Sequence, residues 1–149
     1  MEFEIRAAKE VDSGRMHEVL TAAGLSTLEV LDPGSYFWVA CRESRVVGTC
    51  GLEVDQDNGL VRSVAVSPDQ RGHGIGRALV EHCLAFAKSQ GLERLYLFSK
   101  DTGSYFLGLG WSEVPVAEAA AALQKAPQVR RYERVGWYPD ERAFVRLPG

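Results

Sequence analysis

Between Leu60 and Leu84 the chain runs from a valine-rich apolar stretch, Leu60–Val66, through Ser67-Pro68-Asp69-Gln70 into Arg71-Gly72-His73-Gly74-Ile75-Gly76, and then straight into a helical pattern. Three glycines crowded between a strand and the first turn of a helix describe a cradle for an anion. With their side chains removed, successive backbone N–H groups can converge on one ligand. The unpaired amides and positive dipole end of the following helix hold it there. That helix carries Ile75, Leu79, Val80, Cys83, Leu84 and Ala87 on one stripe, Lys88 in its last turn, and Gly91 where a left-handed cap belongs. Leu92–Phe98 then reads as another strand, so strand, crossover helix and strand make a βαβ unit with two parallel strands flanking the glycines.

Before this unit, Phe3–Arg6 alternates like a first strand, and Val11, Met16, Val19, Leu20 and Ala23 are spaced for a helix that ends at Gly24. Leu25 to Leu31 is expected to form a short second helix, closed by the turn Asp32-Pro33-Gly34. Tyr36–Cys41 and Val46–Val54 read as a hairpin around Arg42-Glu43-Ser44-Arg45, and the turn Asp55–Gly59 leads into the fourth strand at Leu60. The stripe of Tyr36, Phe37 and Trp38 is assigned to the core. After the βαβ unit come a helical segment over 103–109, a sixth strand at Trp111–Pro115, a helix-forming stretch from Ala117 to Lys125, and a closing strand at Ala143–Leu147. Between Ala126 and Arg142 the local signals conflict.

At 149 residues the chain is expected to form one domain, 1–149, with a single core. A formal net charge of -3 argues against a general nucleic-acid binder. The apolar runs are too short for a membrane span, and the first residues lack a basic segment followed by an apolar one, so a cytoplasmic protein is expected. Cys41, Cys50 and Cys83 are odd in number, widely spaced and set among apolar neighbours, which suits reduced, buried thiols. No Cys or His pair stands at ligand spacing, so no metal is expected.

The glycine loop fails two familiar nucleotide-binding spacings. No Lys-Ser/Thr follows the glycines, as a Walker loop requires, and Arg77 and Leu79 stand where the dinucleotide pattern GxGxxG needs its third glycine. What fits is Arg71-x-x-Gly74-x-Gly76. Here the chain resembles the GNAT superfamily of N-acetyltransferases, whose acetyl-coenzyme A motif is (Arg/Gln)-x-x-Gly-x-(Gly/Ala). Tyr105-Phe106-Leu107-Gly108-Leu109-Gly110-Trp111 adds to it by resembling that superfamily's aromatic-Tyr-x-x-Leu-Gly-Phe segment. Within the superfamily the chain looks most similar to the arsenic-resistance and amino-acid N-acetyltransferase branch.

The resemblance implies an α/β (α+β) fold with a mixed sheet of about six or seven strands, splayed between strands 4 and 5 and flanked by helices. It implies acetyl-CoA as co-substrate, its arm lying along Val64, Ala65 and Val66. The amides of Arg71, Gly72, His73, Gly74, Ile75 and Gly76 would hold its pyrophosphate, and the Val64 amide would polarise the thioester carbonyl. Ser99 and Thr102 fall where the superfamily usually places Asn and Ala near the coenzyme. Phe106 falls where it usually places a catalytic Tyr, and has no hydroxyl to donate. Tyr105, one helical step away, is expected in the core.

Glu53, in a strand of small and apolar residues, is the candidate base, its alternative being a solvent-facing strand residue. Arg62 is unusual among apolar neighbours. At period two it is expected to share a face with Val64 and Val66 and to meet a substrate carboxylate, its alternative being a cross-strand ion pair. The function expected is acetyl transfer to the amine of a small molecule, with an amino acid or close analogue as the candidate acceptor, by direct attack. The alternatives are a protein N-acetyltransferase and a non-catalytic acyl-CoA sensor or subunit. The segment from Arg130 to Tyr138, rich in Arg and aromatic residues, is compatible with a homodimer interface, with a cover over the acceptor site, or with the surface of a monomer.

Overall fold

The computed structural model describes residues 2–27, 30–31, 34–99, 103–134 and 142–149. Seven strands form one mixed sheet in the order β1-β2-β3-β4-β5-β7-β6. They are β1 (Glu4–Ala7), β2 (Ser35–Arg42), β3 (Arg45–Asp55), β4 (Asn58–Val66), β5 (Arg94–Ser99), β6 (Ser112–Val114) and β7 (Arg142–Arg146). Five α-helices accompany them among the described residues: α1 (Ser13–Ala22), α2 (Ile75–Ser89), α3 (Gly103–Leu107), α4 (Val116–Ala122) and α5 (Pro127–Arg134). β4 pairs with β5 in parallel, with Asn58 opposite Arg94 and Leu60 opposite Tyr96. The chain divides into two compact units, Met1–Leu52 with Val61–Phe86, and Glu53–Leu60 with Ala87–Gly149.

In the first unit, strand alternation sorts the aromatic residues of β2 onto two faces. Phe37, Val39 and Cys41 pack with Met16 of α1. Trp38 turns the other way, its ring 5.1 Å from Phe86 and 5.6 Å from His82 on α2. Tyr36 follows Trp38 onto Phe86 but stays 42% exposed, so it lies at the edge of the core expected to bury it. Two glycines of β3 let neighbours approach closely. A Cβ on Gly48 would lie 2.9 Å from a Leu79 methyl of α2, and one on Gly51 would lie 2.5 Å from the Phe37 ring. The expected α2 stripe is buried at all six positions.

Gly24, at φ +72, ends α1 as expected, with the Leu25 amide returning to Leu20 O. Among the described residues the helix expected over Leu25–Leu31 does not appear, Leu28 and Glu29 lying outside them. Residues 25–27 are irregular and Val30–Leu31 form a turn, with Leu31 at φ +64. Val30 and Leu31 pack instead against the cluster of Met16, Phe37 and Val39, and a left-handed Leu31 does not continue a helix.

In the second unit, β5 pairs antiparallel with β7, and β7 with β6. Leu60 and Tyr96 pack beneath Ala119, Ala120 and Leu123 of α4 and its end, and Val129 of α5. Gly91 at φ +74 closes the long helix, with the Leu92 amide bonded to Ala87 O. The stretch with conflicting local signals contains α5. Trp137 and Tyr138 of that stretch lie outside the described residues.

Candidate active site

The glycine loop has the conformation a cradle requires, and two of its glycines are needed for it. Gly72 and Gly74 stand at φ +84 and +80, in the left-handed region that side chains disfavour, and a Cβ on either would meet nothing within 4 Å. Gly76 has an ordinary φ, and a Cβ there would touch Val66 at 3.5 Å. Residues 71–74 are exposed and Ile75 is buried, which anchors the loop to the start of α2. Gly74 O accepts the Ala78 amide, so Gly74 caps the helix. The amides of Ile75, Gly76 and Arg77 belong to the first turn, where an α-helix offers no acceptor one turn back. Arg71 Nε donates to Val66 O at 3.0 Å, tying the loop to the end of β4. An exposed run of backbone with open space before it and helix amides behind it suits a pyrophosphate.

Ser63, in the middle of β4, lies at φ +57. Its carbonyl accepts the Thr49 hydroxyl of β3 at 2.7 Å. In a trans peptide the C=O and the following N–H point in opposite directions. The Val64 N–H therefore points away from β3. The left-handed residue also resets the strand's alternation. Arg62 lies over the Phe37 ring, 5.8 Å from its centroid, and Ala65 packs with Val19 and Leu20 of α1. Residues three apart thus share the α1 face, whereas Val66 reaches toward Gly76 of α2. The expectation that Arg62 shares a face with Val64 and Val66 is overturned for this reason. Arg62 is 6% exposed, and its Nε donates to Ser63 Oγ at 2.9 Å. Nothing in the local pattern marks Thr49, and Ser63 shows only as a polar residue in an apolar run.

Glu53, Ser99 and Phe106 belong to the second unit. Glu53 is fully buried rather than solvent-facing. Its Oε1 accepts the Gln128 backbone N–H at 2.9 Å. Ser99 ends β5 half-buried, opposite Arg142. Thr102 lies outside the described residues.

Phe106 is buried, its ring 6.1 Å from Trp111 and 6.0 Å from Phe144. Tyr105 is 47% exposed, which corrects its expected place in the core. With Phe106 turned onto Trp111 and Phe144, one step of about 100° carries its neighbour toward solvent. All three cysteines are free and buried, as expected. Among the described residues no helix is long and apolar enough to cross a membrane.

The model of the Acetyltransferase (GNAT) family matches residues 4–106. An amino-acid acetyltransferase of Mycobacterium tuberculosis is 32% identical over 115 residues, covering 74% of this chain and 64% of that protein. Among solved structures, N-acetylglutamate synthase of Neisseria gonorrhoeae, complexed with coenzyme A and N-acetyl-glutamate, superposes with a TM-score of 0.80 at 20% identity. The match covers 100% of this chain and 36% of that one. A Mycobacterium tuberculosis protein in complex with CoA superposes with a TM-score of 0.77 at 24% identity, covering 97% of this chain and 98% of that one. The chain thus spans less than two thirds of the named amino-acid acetyltransferase, and about a third of the synthase.

Proposed function

Because the chain belongs to the Acetyltransferase (GNAT) family, we propose that it moves an acetyl group from acetyl-CoA to the amine of a small, amino-acid-like molecule, within a single domain of residues 1–149. The observation that carries this reading is the pair of left-handed glycines, Gly72 and Gly74, opening onto the first turn of α2. When bound, acetyl-CoA supplies an electrophilic thioester and a thiolate leaving group of ordinary pKa, about 8.5. The amides of residues 71–76 receive the pyrophosphate, and Val64, Ala65 and Val66 offer backbone groups to the arm. The Val64 N–H, turned away from β3 by Ser63, donates to the carbonyl oxygen as charge develops on it.

Glu53 takes the proton of the acceptor ammonium through water, and Arg62 meets the acceptor's carboxylate. Ser99 and Thr102 border the coenzyme, with Phe106 as an apolar wall. Phe106 offers no proton, so the departing thiolate takes one from water. The small-molecule class is supported by the amino-acid acetyltransferase relative and by a buried guanidinium in β4.

Thiol release from acetyl-CoA in the presence of amino acids and polyamines tests the reading. Release with at least one amino acid, slowed about tenfold or more by Glu53→Gln across pH 6–9, supports it. The non-hydroxylic Phe106, packed on Trp111 and Phe144, favours a second reading, a non-catalytic acyl-CoA sensor. Tight coenzyme binding with no thiol release on any amine would select that one.

A further inference from the structure

The family match ends at residue 106, yet one bond to the candidate base comes from beyond it. On β3, Glu53 and Asp55 are two residues apart and so share a face. Glu53 Oε1 accepts the Gln128 N–H at 2.9 Å, and Asp55 Oδ2 accepts the Lys125 N–H at 2.8 Å. From β4, Asn58 Nδ2 donates to Ala122 O at 3.2 Å. The end of α4 and the start of α5 are therefore clipped to the β3–β4 hairpin at three points.

The Gln128 amide is special within α5. Pro127 has no N–H, and the Arg130 amide already returns to Ala126 O at 2.9 Å. Gln128 and Val129 carry the first-turn amides for which the helix has no acceptor of its own, and Gln128's goes to Glu53. The Gln128 side chain runs on down the helix, donating from Nε2 to the Tyr132 hydroxyl at 2.6 Å. Tyr132 is buried, with its ring 6.2 Å from Phe98 of β5. The donor thus sits on a helix whose register is fixed by its own packing.

We infer that Gln128 is a positioning residue: its backbone N–H, at the start of α5, holds the buried Glu53 carboxylate in the one orientation from which it accepts the proton of the substrate amine. The inference rests on the proposed role of Glu53 as base. It gives the C-terminal segment, which carries no recognisable motif, a part in the chemistry.

The test removes the N–H alone, by replacing Gln128 with the corresponding α-hydroxy acid so that an ester oxygen takes the place of the amide nitrogen. The same replacement at Val129 is the comparison. The ester at 128 should lower kcat about tenfold or more while leaving acceptor KM and coenzyme Kd within about twofold, and the ester at 129 should change none of them beyond that. Combined with Glu53→Gln, the ester at 128 should add no further loss, because it acts through the carboxylate.

A readout independent of turnover is amide hydrogen exchange by NMR. Glu53→Ala should speed exchange at Gln128 about tenfold or more and leave Arg130, bonded to Ala126, unchanged. Wild-type kcat with the ester at 128, losses that multiply with Glu53→Gln, or unaltered Gln128 exchange in Glu53→Ala each overturn the inference. A wild-type rate for Glu53→Gln alone overturns the role of Glu53 itself, and is seen before Gln128 is touched.

Discussion

The glycine loop makes a prediction whose sign reverses over two residues. At Gly74 the backbone stands at φ +80 with nothing within 4 Å of a would-be Cβ, so Gly74→Ala meets no steric obstacle and its whole cost is torsional. Holding an L-residue in the left-handed region costs about 1–2 kcal/mol. If the loop keeps its shape, that cost appears as lost stability, a fall in Tm of roughly 2–8 °C for a chain of this size. If the loop relaxes to negative φ, its amides turn away and coenzyme A binding weakens by a factor of about 5–30, the same energy read as affinity. The two losses share one source, so their sum stays within about 2 kcal/mol.

Gly76 differs. Its φ is ordinary, a Cβ there makes a 3.5 Å contact with Val66, and it lies in the first turn of α2. Gly76→Ala should raise stability by up to about 1 kcal/mol and leave coenzyme affinity alone. Calorimetric titration with coenzyme A and thermal melts of the two variants measure both numbers. Equal weakening of binding by the two alanines would refute the reasoning, because it would mean that ligand approach, and not backbone torsion, requires the glycines.

Gly51→Ala places a Cβ 2.5–2.9 Å from three atoms of the Phe37 ring, so the ring must move within a closed cluster; a loss of about 1–3 kcal/mol is expected in urea denaturation, relieved when Phe37→Leu is added. Because Arg62 lies over that ring, the same variant should raise the acceptor KM more than the coenzyme Kd. Phe106→Tyr puts a hydroxyl into the contact with Trp111 and Phe144, costing about 1–3 kcal/mol if unpaired, and should raise the turnover rate less than tenfold; a larger gain would show that a protein acid is wanted after all. Asp12 accepts two bonds from Arg6, which hold its carboxyl below the usual range, with the Lys9 amide adding to the effect. A depressed folded-state value means that this stabilisation is present above the unfolded carboxyl's value of about 3.9 and is lost as pH falls through the lower, folded one. The stability gap between wild type and Asp12→Asn should therefore close on acidification below about pH 4.

What could be read from the sequence was local in its cause. Positive φ at Gly72, Gly74 and Gly91 follows from glycine placement, and the α2 stripe from a 3.6-residue period, so the cradle and its helix were legible residue by residue. The misplacements arise where a distant group acts on the chain. Periodicity gives the angle between Tyr105 and Phe106 but not which of them faces inward; Trp111 and Phe144 decide that. Alternation assigns Arg62 to the face of Val64 until the Thr49 hydroxyl of another strand takes the Ser63 carbonyl and resets the count. α5 has only eight residues, too few to be stable alone, and the backbone at and just before its start is held by carboxylates 75 and 70 positions earlier in the chain. The candidate catalytic groups fall in this second class: Val64's amide is aimed through Ser63 and Thr49, and Glu53 is held by Gln128. In each case a buried polar side chain satisfies a backbone group that regular secondary structure leaves unpaired, and the same bond sets the direction of a group proposed to react. A strand or helix pattern records only the regular ladder, so the positions where the ladder is broken are the ones it cannot place.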